Sequence, residues 1–464
     1  MISTTVLLFF SWWLYGAFAT RTAHISLKET CPVIGPFSCP AEPEFTAGDL
    51  DIQHQDLPRR PNEIFGIMQA EARLKEVATE LLQSQNLRLA SIQSIQTLWA
   101  GYGHICHVKA IVQGSDARQS LILKYVTPPT HMKQSQAGPL DEGHIRKILS
   151  YQVEQYFYTH LAPQMPKDVA VATCLANINR STDGSNTIAM VMTDLRDSFP
   201  VAGEKRAELN ATQVHAALKW LSSFHGFWWS RADDVARVAH VRPPLGHFEK
   251  HKNTNLASQS GVWSNGGYTY LATRRKEYDD LKSDSDSEWS SALCEPVKPG
   301  EKSIAEKAAA LLASSAVRDY HTLIHGDVKS ENLFTTIRGD AVAFFDFQYV
   351  GLGLGGCDLA KLFTCSVPLT MLVEDEIVST SSKLEMQPGE ERLLRAYHEQ
   401  LQSRSGEEYA WELFIRHWET ALVDWLRFQA SWGFWGNSEW LEARVRWILG
   451  DEEWLKWLDD ALQE

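Results

Sequence analysis

The segment from residue 323 to residue 347 constrains the fold of this chain more than any other part of its sequence. It reads LIHGDVKSENLFTTIRGDAVAFFDF, so a short apolar strand leads into Asp327, Asn332 follows five residues later, and Asp346 ends a second apolar strand. Phosphoryl transfer from ATP needs a carboxylate near the attacking hydroxyl and further oxygen ligands that hold Mg²⁺ against the phosphates. A loop of this spacing supplies both, because hard divalent cations prefer carboxylate and amide oxygens.

The spacing gives each of these three polar residues a predicted role. Asp327 is expected to orient the acceptor hydroxyl and accept its proton. Asn332 is expected to present a neutral carbonyl oxygen to the metal, and Asp346 a charged one. The sequence therefore predicts a site for ATP with Mg²⁺ or Mn²⁺.

Composition excludes several other classes of protein. The chain has 464 residues with 44 Lys plus Arg and 58 Asp plus Glu, a net charge of −14 that does not fit a nucleic-acid-binding surface. A hydrophobic content of 44% is enough for a large core and argues against a disordered chain. Seven cysteines without a CxxC pair favour neither a disulfide scaffold nor a structural zinc site.

The first 61 residues differ in composition from the rest. Residues 6–19 read VLLFFSWWLYGAFA, and residues 31–61 contain six prolines. We expect a signal or anchor segment over residues 1–20 and a linker over residues 21–61. A cleaved signal peptide, an uncleaved anchor and an unrelated amino terminus all stay open. Membrane contact is expected only through an uncleaved segment, and the charges that follow it would keep the catalytic domain in the cytoplasm.

Three short sequence motifs give the chain a family resemblance. HGDVKSEN (325–332), DFQ (346–348) and GGCDLAKLF (355–363) resemble the protein-kinase-like superfamily. Within it they resemble the aminoglycoside phosphotransferase and choline kinase group, and especially its ecdysteroid kinase-like branch. The likeness covers roughly residues 85–370. It implies an α+β, bilobal kinase-like fold, with a small β-rich lobe over residues 62–195 and a larger, mostly helical lobe over residues 196–464.

The same segment departs from protein kinases at specific positions. Protein kinases normally have Arg where Gly326 stands and Gly where Gln348 stands, and they have a long activation segment that is absent here. Instead the chain reaches Asp358 only twelve residues after Asp346. The resemblance implies that Asp358 supports the backbone of the catalytic loop. A protein kinase is therefore the less favoured kinase hypothesis.

Two further residues of the catalytic loop are assigned from the resemblance. Lys329 stands where Ser/Thr protein kinases keep a Lys that steadies the transferring phosphate, and the alternative is an exposed loop lysine. His325 is expected to pack and to form hydrogen bonds within the loop. We expect no proton transfer by His325.

The amino-terminal lobe is expected to clamp the nucleotide. Strands flank Gly101-Tyr102-Gly103, a third strand covers Ser120–Val126, and a helix covers 143–161, which predicts a β-β-β-α order. An inward-facing Lys124 in an apolar strand needs a partner. The resemblance supplies Glu154, with Lys124 contacting the phosphates of ATP, and Glu142 remains a rival partner.

Two other nucleotide contacts depend on position along the chain. The turn with Gly101 and Gly103 is predicted to cover the phosphates, with an ordinary hairpin turn as the alternative. Residues 192–195, including Met192 and Asp194, are predicted to form the hinge that binds adenine through backbone groups.

Tryptophan recurs at a seven-residue interval near the carboxyl end. Residues 411–464 contain nine of the 17 tryptophans, at two helical turns apart in two series: Trp411, Trp418, Trp425 and Trp432, then Trp440, Trp447 and Trp454. A core stripe is the simpler interpretation. The alternative is that some of these rings line a substrate pocket for a flat apolar ligand or a cationic nitrogen.

Together these features predict an ATP-dependent kinase that phosphorylates a small-molecule hydroxyl. Choline-like, steroid-like and aminoglycoside-like acceptors remain open, because the acceptor pocket varies on a shared fold. The alternative from another class is a catalytically silent pseudokinase or nucleotide-binding module. The sequence does not settle the oligomeric state.

Overall fold

The computed structural model describes residues 61–128, 142–182, 185–244, 261–296, 298–373 and 382–463. The predicted signal or anchor segment and, apart from Pro61, the predicted linker lie outside the described residues. The chain divides into two compact units, Met1–Ala70 and Glu71–Glu464, and the candidate site lies in the second. Within the described ranges, no helix has both the length and the apolar character needed to cross a bilayer.

An antiparallel sheet forms the amino-terminal part of the second unit. Its five strands lie in the order β1-β2-β3-β5-β4, with the bounds β1 (Leu87–Thr97), β2 (Gly103–Val112), β3 (Arg118–Val126), β4 (Cys174–Thr182) and β5 (Ser185–Thr193). Helix α1 (Pro61–Gln83) precedes β1, and helix α2 (Glu142–Tyr156) follows β3. The β-β-β-α order predicted from the sequence is therefore confirmed. The last turn of the predicted 143–161 helix is wound as a π-helix, Phe157–Leu161.

Strand β3 shows how alternation places the first site residue. Leu121, Leu123 and Tyr125 face one side of the sheet, where they pack with the apolar side chains of α1. Side chains alternate between faces along a strand, so Lys124 faces the opposite side, towards α2. Lys124 is only 5% exposed, and a buried ammonium requires compensating partners on that face.

Helices dominate the rest of the unit. They are α3 (Ala211–Trp229), α4 (Ala232–Arg237), α5 (Arg275–Ser283), α6 (Ile304–Leu312), α7 (Gly355–Cys365), α8 (Leu369–Leu372), α9 (Pro388–Ser405), α10 (Trp411–Trp432), α11 (Ser438–Ile448) and α12 (Glu452–Ala461). The β-rich first part and the mostly helical second part are the α+β, kinase-like arrangement that was predicted. The exact boundary between the lobes stays a prediction.

Two small sheets within the helical part position the segment that carries Asp327, Asn332 and Asp346. Their strands are β6 (Val201–Ala202), β7 (His240–Val241), β8 (Val262–Trp263), β9 (Thr322–Ile324), β10 (Leu333–Thr335), β11 (Val342–Phe344) and β12 (Gly351–Gly353). One sheet has the order β11-β10-β6 and the other β7-β8-β12-β9. The loop of interest runs from β9 to β10, so both of its ends are fixed by strand pairing.

The tryptophan series divides between core and surface. Trp418, Trp425, Trp440 and Trp454 are buried, as a core stripe requires. Trp432 is 59% exposed and Trp447 39% exposed. The core interpretation is therefore right for most of the series and wrong for its exposed members.

Two histidines in the helical core make stability depend on pH. Burial lowers the pKa of His321 to about 4 and that of His417 to about 3. The unfolded chain binds protons near pH 6.5 and the folded chain does not, so stability is lost as the pH falls from 6.5 towards 4. Between pH 7 and pH 5 we expect a loss of about 2 kcal/mol per histidine.

Urea unfolding at the two pH values measures this loss. In His417→Gln, which cannot titrate there, the loss between pH 7 and pH 5 should shrink by about 2 kcal/mol. An equal loss in wild type and variant would contradict the assignment.

Candidate functional site

The candidate catalytic loop, residues 325–332, makes a sharp turn at Gly326. This glycine has φ +84°, and a Cβ built on it would lie 2.3 Å from the carbonyl oxygen of Tyr349 and 2.7 Å from the amide nitrogen of Gly267. Any larger side chain would collide with backbone atoms, which have no room to move. This close packing explains why the Arg of protein kinases is replaced by Gly here.

Asp358 holds the same loop from behind. It is fully buried, with Oδ2 accepting a hydrogen bond from the amide of His325 at 2.6 Å and Oδ1 one from the amide of Gly326 at 2.9 Å. Burial by itself would raise the pKa of Asp358, but a hydrogen bond from His225 holds it below its ordinary value. Asp358 is thus an anion that supports the loop, as the family resemblance implied.

His325 joins the loop to the strand that carries Asp346. Its Nδ1 accepts a hydrogen bond from the amide of Asp327 at 3.2 Å, so Nε2 carries the proton and donates to the carbonyl of Phe345 at 2.9 Å. Burial lowers the pKa of His325 and keeps the ring neutral. Both ring nitrogens of His325 are engaged in these hydrogen bonds, which agrees with the predicted packing role.

Asp327 and Asn332 lie in direct contact. The Nδ2 of Asn332 donates to the Oδ2 of Asp327 at 2.9 Å and to its backbone carbonyl at 2.8 Å. The Nζ of Lys329 lies 3.2 Å from the Oδ2 of Asp327 and 3.2 Å from the Oε1 of Glu331. Burial alone would lower the pKa of Lys329, but Asp327 and other neighbours raise it, so the ammonium stays charged beside the carboxylate.

Lys124 has two acidic partners. Its Nζ lies 2.6 Å from the Oε2 of Glu154 and 3.0 Å from the Oδ1 of Asp346. Burial alone would lower the pKa of Lys124, but Asp346 and Glu154 raise it above its ordinary value. Glu142, the rival partner, forms an ion pair with Arg146 at 3.7 Å. The structure therefore brings Lys124, Glu154 and Asp346 into one cluster across 222 residues of chain.

Asp346 is held in an unusual backbone conformation. Its φ is +66°, in the left-handed region that a non-glycine residue adopts at some energetic cost. Its Oδ1 accepts hydrogen bonds from Lys124 at 3.0 Å and from Gln348 at 2.6 Å, and these contacts hold the strained turn. Burial would raise the pKa of Asp346, but Lys124 lowers it, so this group is ionised.

The residues at this point suit a small divalent cation in part. The amide of Phe345 donates to the carbonyl of Asn332 at 3.0 Å, which sets Asn332 beside the turn that carries Asp346. The side chain of Asp346 is 31% exposed, so its carboxylate reaches solvent. No group of three or more His, Cys, Asp or Glu residues forms a metal cage within the described part of the chain. Two oxygen ligands fit a metal that takes its others from a triphosphate and water.

The glycine turn has a packing reason of its own. A Cβ on Gly103 would lie 2.0 Å from the carbonyl of Tyr125, so Gly103 is needed for close pairing of β2 with β3. Gly101 has φ +73° and open space around it, and Tyr102 between them is fully buried. The geometry favours the ordinary hairpin explanation for Gly103. Phosphate contact at Gly101 and Gly103 stays a prediction.

The predicted hinge lies at the end of β5. Met192 pairs with Ile122 of β3 and with Cys174 of β4. The carboxylate of Asp194 accepts hydrogen bonds from the amide of Arg196 at 3.1 Å and from the hydroxyl of Ser120 at 3.1 Å. The Asp194 side chain therefore caps the next turn, and any adenine contact there stays a prediction for the backbone.

An aromatic wall lies beside the catalytic loop, and the sequence did not predict most of it. It comprises Tyr349, Tyr268, Phe428 and Trp432, whose ring centroids follow one another at 5.2, 5.4 and 5.9 Å. Gly267, next to Tyr268, packs directly on Gly326. Burial, together with the charge of Asp327, raises the pKa of Tyr268 well above its ordinary value, so its hydroxyl stays protonated.

The guanidinium of Arg274 lies against three rings of this wall. Its Cζ is 5.6 Å from the centroids of Tyr268 and Phe428 and 5.1 Å from that of Trp432. Its Nε donates to the carbonyl of Tyr268 at 2.8 Å, and its Nη1 donates to Glu277 at 3.1 Å. Residues 267–277 contain no recognisable motif. Trp432, as a member of the tryptophan series, is the residue of this surface that the sequence analysis had singled out.

Comparison with known proteins identifies relatives of this chain. The model of the ecdysteroid kinase-like family matches residues 104–405. A comparison with curated proteins gave no match. Among solved structures, amicoumacin kinase in complex with AMP-PNP, Ca²⁺ and its ligand is 12% identical, with 85% of this chain and 96% of that chain covered and a TM-score of 0.37.

Two other solved structures are similar to a comparable extent. The macrolide 2′-phosphotransferase of Brachybacterium faecium is 13% identical, with 83% of this chain and 98% of that chain covered and a TM-score of 0.36. Choline kinase of Cryptosporidium parvum is 14% identical, with 82% and 89% covered and a TM-score of 0.35.

Proposed function

This chain belongs to the ecdysteroid kinase-like family, and we propose that it is an ATP-dependent phosphotransferase that moves the γ-phosphate to a hydroxyl of a small molecule. One observation carries the proposal: Lys124, 3.0 Å from Asp346, bridges the sheet to the segment that also presents Asp327 and Asn332. A nucleotide clamp, a metal-ligating carboxylate and a base near the acceptor are the parts that phosphoryl transfer requires.

Each residue of the candidate site has a proposed role in the reaction. Lys124 contacts the α- and β-phosphates, and Glu154 orients its ammonium. Asp346 and Asn332 would hold Mg²⁺ or Mn²⁺, which when bound neutralises charge on the phosphate oxygens. Asp327 accepts the acceptor's proton while the new oxygen–phosphorus bond forms and the bond to ADP breaks. Lys329, beside Asp327, stabilises the transferring phosphoryl group.

Purified protein incubated with ATP and a metabolite extract tests this proposal. A phosphorylated product together with ATP consumption supports the kinase. Thermal stabilisation by ATP without consumption, over a broad acceptor panel, would instead support the nucleotide-binding module.

The aromatic wall supports an acceptor with an apolar ring body. Trp432 offers an exposed ring at one end of the wall, Phe428 behind it is fully buried, and Tyr268 lies next to Gly267, which packs on Gly326. A cationic acceptor would compete with Arg274 for the same ring faces. The carboxylates of Glu277 and Glu331 are already paired with Arg274 and Lys329, at 3.1 and 3.2 Å. We therefore favour a steroid-like, uncharged acceptor over choline-like and aminoglycoside-like ones.

Trp432→Ala is expected to raise the KM for such an acceptor by about 2- to 10-fold, because aromatic stacking contributes about 0.5–1.5 kcal/mol. The KM for ATP should not change. Trp447→Ala removes another exposed tryptophan ring, on α11, and is the control. Equal effects of the two substitutions on the acceptor KM would argue against the wall.

The Lys124 and Glu154 pair is tested by a double-mutant cycle. Lys124→Ala and Glu154→Ala should each raise the KM for ATP, and the double variant should cost less than the sum because each partner acts through the other. The expected coupling is about 0.5–3 kcal/mol. Glu142→Ala is the control and should leave the KM for ATP unchanged. Additive losses would contradict the pairing.

A further inference from the structure

A buried chain of hydrogen bonds lies behind the catalytic loop. The hydroxyl of Tyr397 on α9 lies 2.7 Å from the Nδ1 of His225 on α3, and the Nε2 of His225 lies 3.2 Å from the Oδ2 of Asp358 on α7. All three side chains are fully buried. Asp358 in turn binds the amides of His325 and Gly326, directly before Asp327. Three helices are thus connected to the residue preceding the proposed base.

Chemistry fixes the direction of the hydrogen bond between His225 and Asp358. The carboxylate of Asp358 only accepts, so the Nε2 of His225 must carry a proton and donate. The other ring nitrogen, Nδ1, shares its hydrogen bond with the Tyr397 hydroxyl, so Tyr397 fixes the orientation of the ring. Burial raises the pKa of Tyr397 well above its ordinary value, which keeps that hydroxyl protonated. Asp358 therefore accepts a third hydrogen bond, from His225, and Tyr397 orients the His225 ring.

The surrounding backbone leaves room for this chain of contacts. A Cβ on Gly355 would lie 2.1 Å from the hydroxyl of Tyr397 and 2.9 Å from the Nδ1 of His225. Any other residue at position 355 would therefore disturb that hydrogen bond. The hydroxyl of Thr322, in the strand that leads into the loop, donates to the carbonyl of His225 at 2.6 Å. His225 is thus fixed at its backbone as well as at both ring nitrogens.

We propose that His225 and Tyr397 are positioning residues for phosphoryl transfer, which hold Asp358 in the orientation that places the catalytic loop; this rests on the proposed function. Without His225, the Oδ2 of Asp358 keeps only one donor, the amide of His325, and the carboxylate can rotate. The amides of His325 and Gly326 then lose a fixed acceptor, and Asp327 moves relative to the acceptor hydroxyl. Misplacement of a reacting group by about 1 Å lowers a rate by about 10²-fold.

Tyr397→Phe is the principal test, because it removes one oxygen and keeps the ring. We expect kcat to fall by about tenfold and the KM for ATP to stay unchanged. A loss of this size is typical when a residue that only orients another site residue is changed. Tyr409→Phe is the matched control. Its hydroxyl contacts Nδ1 of His417 in the same core, also buried, but that pair makes no contact with Asp358. The control should lower thermal stability to a similar extent and leave kcat unchanged.

A second pair of variants separates positioning from packing. His225→Gln retains an amide that can donate to Asp358 and should recover most of the activity, whereas His225→Leu should lose about 10²-fold in kcat. If His225→Leu does not fold, the comparison of Tyr397→Phe with Tyr409→Phe still decides. A kcat for Tyr397→Phe within twofold of wild type, or an equal loss in the control, would overturn the proposal.

Hydrogen exchange provides a readout that needs no turnover. The amides of His325 and Gly326 should exchange faster in Tyr397→Phe than in wild type and remain protected in Tyr409→Phe. Unchanged protection in Tyr397→Phe would overturn the positioning role even if the protein is an active kinase. Absence of activity in wild type, with the exchange result as expected, would instead contradict the proposed function alone.

Discussion

Asp327→Asn is expected to lower the turnover of phosphoryl transfer by about 10²- to 10⁴-fold, the range for loss of general-base and positioning contributions. Nucleotide affinity should stay nearly unchanged, because the proposed contacts with ATP come from Lys124 and Asp346. The amide keeps the size of the side chain, and Asn332 and Lys329 keep their places on the loop. Steady-state kinetics and ATP titration of the same preparation measure the two quantities.

A control from the same segment makes the Asp327 experiment specific. Asp340 lies in the exposed turn between β10 and β11, where it accepts a hydrogen bond from Thr336 at 2.7 Å. Asp340→Asn likewise replaces a carboxylate by an amide and should leave turnover unchanged. Wild-type turnover in Asp327→Asn would remove the assignment of Asp327 as the base.

The sequence predicted the parts of the site that depend on local pattern. The alternation of β3 put Lys124 on the face opposite Leu123, and a buried ammonium had to have an acidic partner. Glu154 on the next helix came from the family resemblance, and the structure has it in contact at 2.6 Å. Asn332 and Asp327 are five residues apart, so a single loop brings them together. In each case a short stretch of chain, or one strand and one helix, decides the outcome.

The sequence could not predict contacts that depend on how distant segments pack. His225 and Asp358 are 133 residues apart, and His225 and Tyr397 are 172 apart. Nothing in the sequence around His225 or Tyr397 distinguishes either residue from an ordinary core residue. The need for Gly326 likewise arises from Gly267, whose backbone occupies the space that a side chain would fill.

The exposed tryptophans show the limit of periodicity as a predictor. A seven-residue repeat places residues on one helical face, and it does not say where that face stops being covered. Trp418 and Trp425 are buried, and Trp432, at the last position of α10, is 59% exposed where the helix ends. Only the packing of Tyr268 and Arg274 around Phe428 showed that Trp432 continues the row of rings that begins at Tyr349.

Asp346→Ala is expected to abolish metal-dependent ATP binding. The affinity should fall by at least about 10²-fold, because changes to residues that only support a metal ligand can already lower metal affinity by about that factor. Asp346 is the charged oxygen ligand of the proposed metal, and its pKa is held low by Lys124, so it is an anion at neutral pH. Lys124 keeps Glu154 as a partner in the variant, so the buried ammonium is not left alone. Titration of Mg²⁺ at fixed ATP measures the effect.

Asn332→Ala and Asp358→Asn separate the proposed metal ligands from the loop support. Asn332 carries no charge, so its loss should weaken metal-dependent binding by only about tenfold. Turnover should fall further, because the Asn332 amide also holds Asp327 at 2.9 Å. Asp358 has both oxygens occupied by backbone amides, so Asp358→Asn should lower turnover and leave metal-dependent ATP binding intact. Tight metal-dependent binding by Asp346→Ala, together with its loss in Asp358→Asn, would reverse the two assignments.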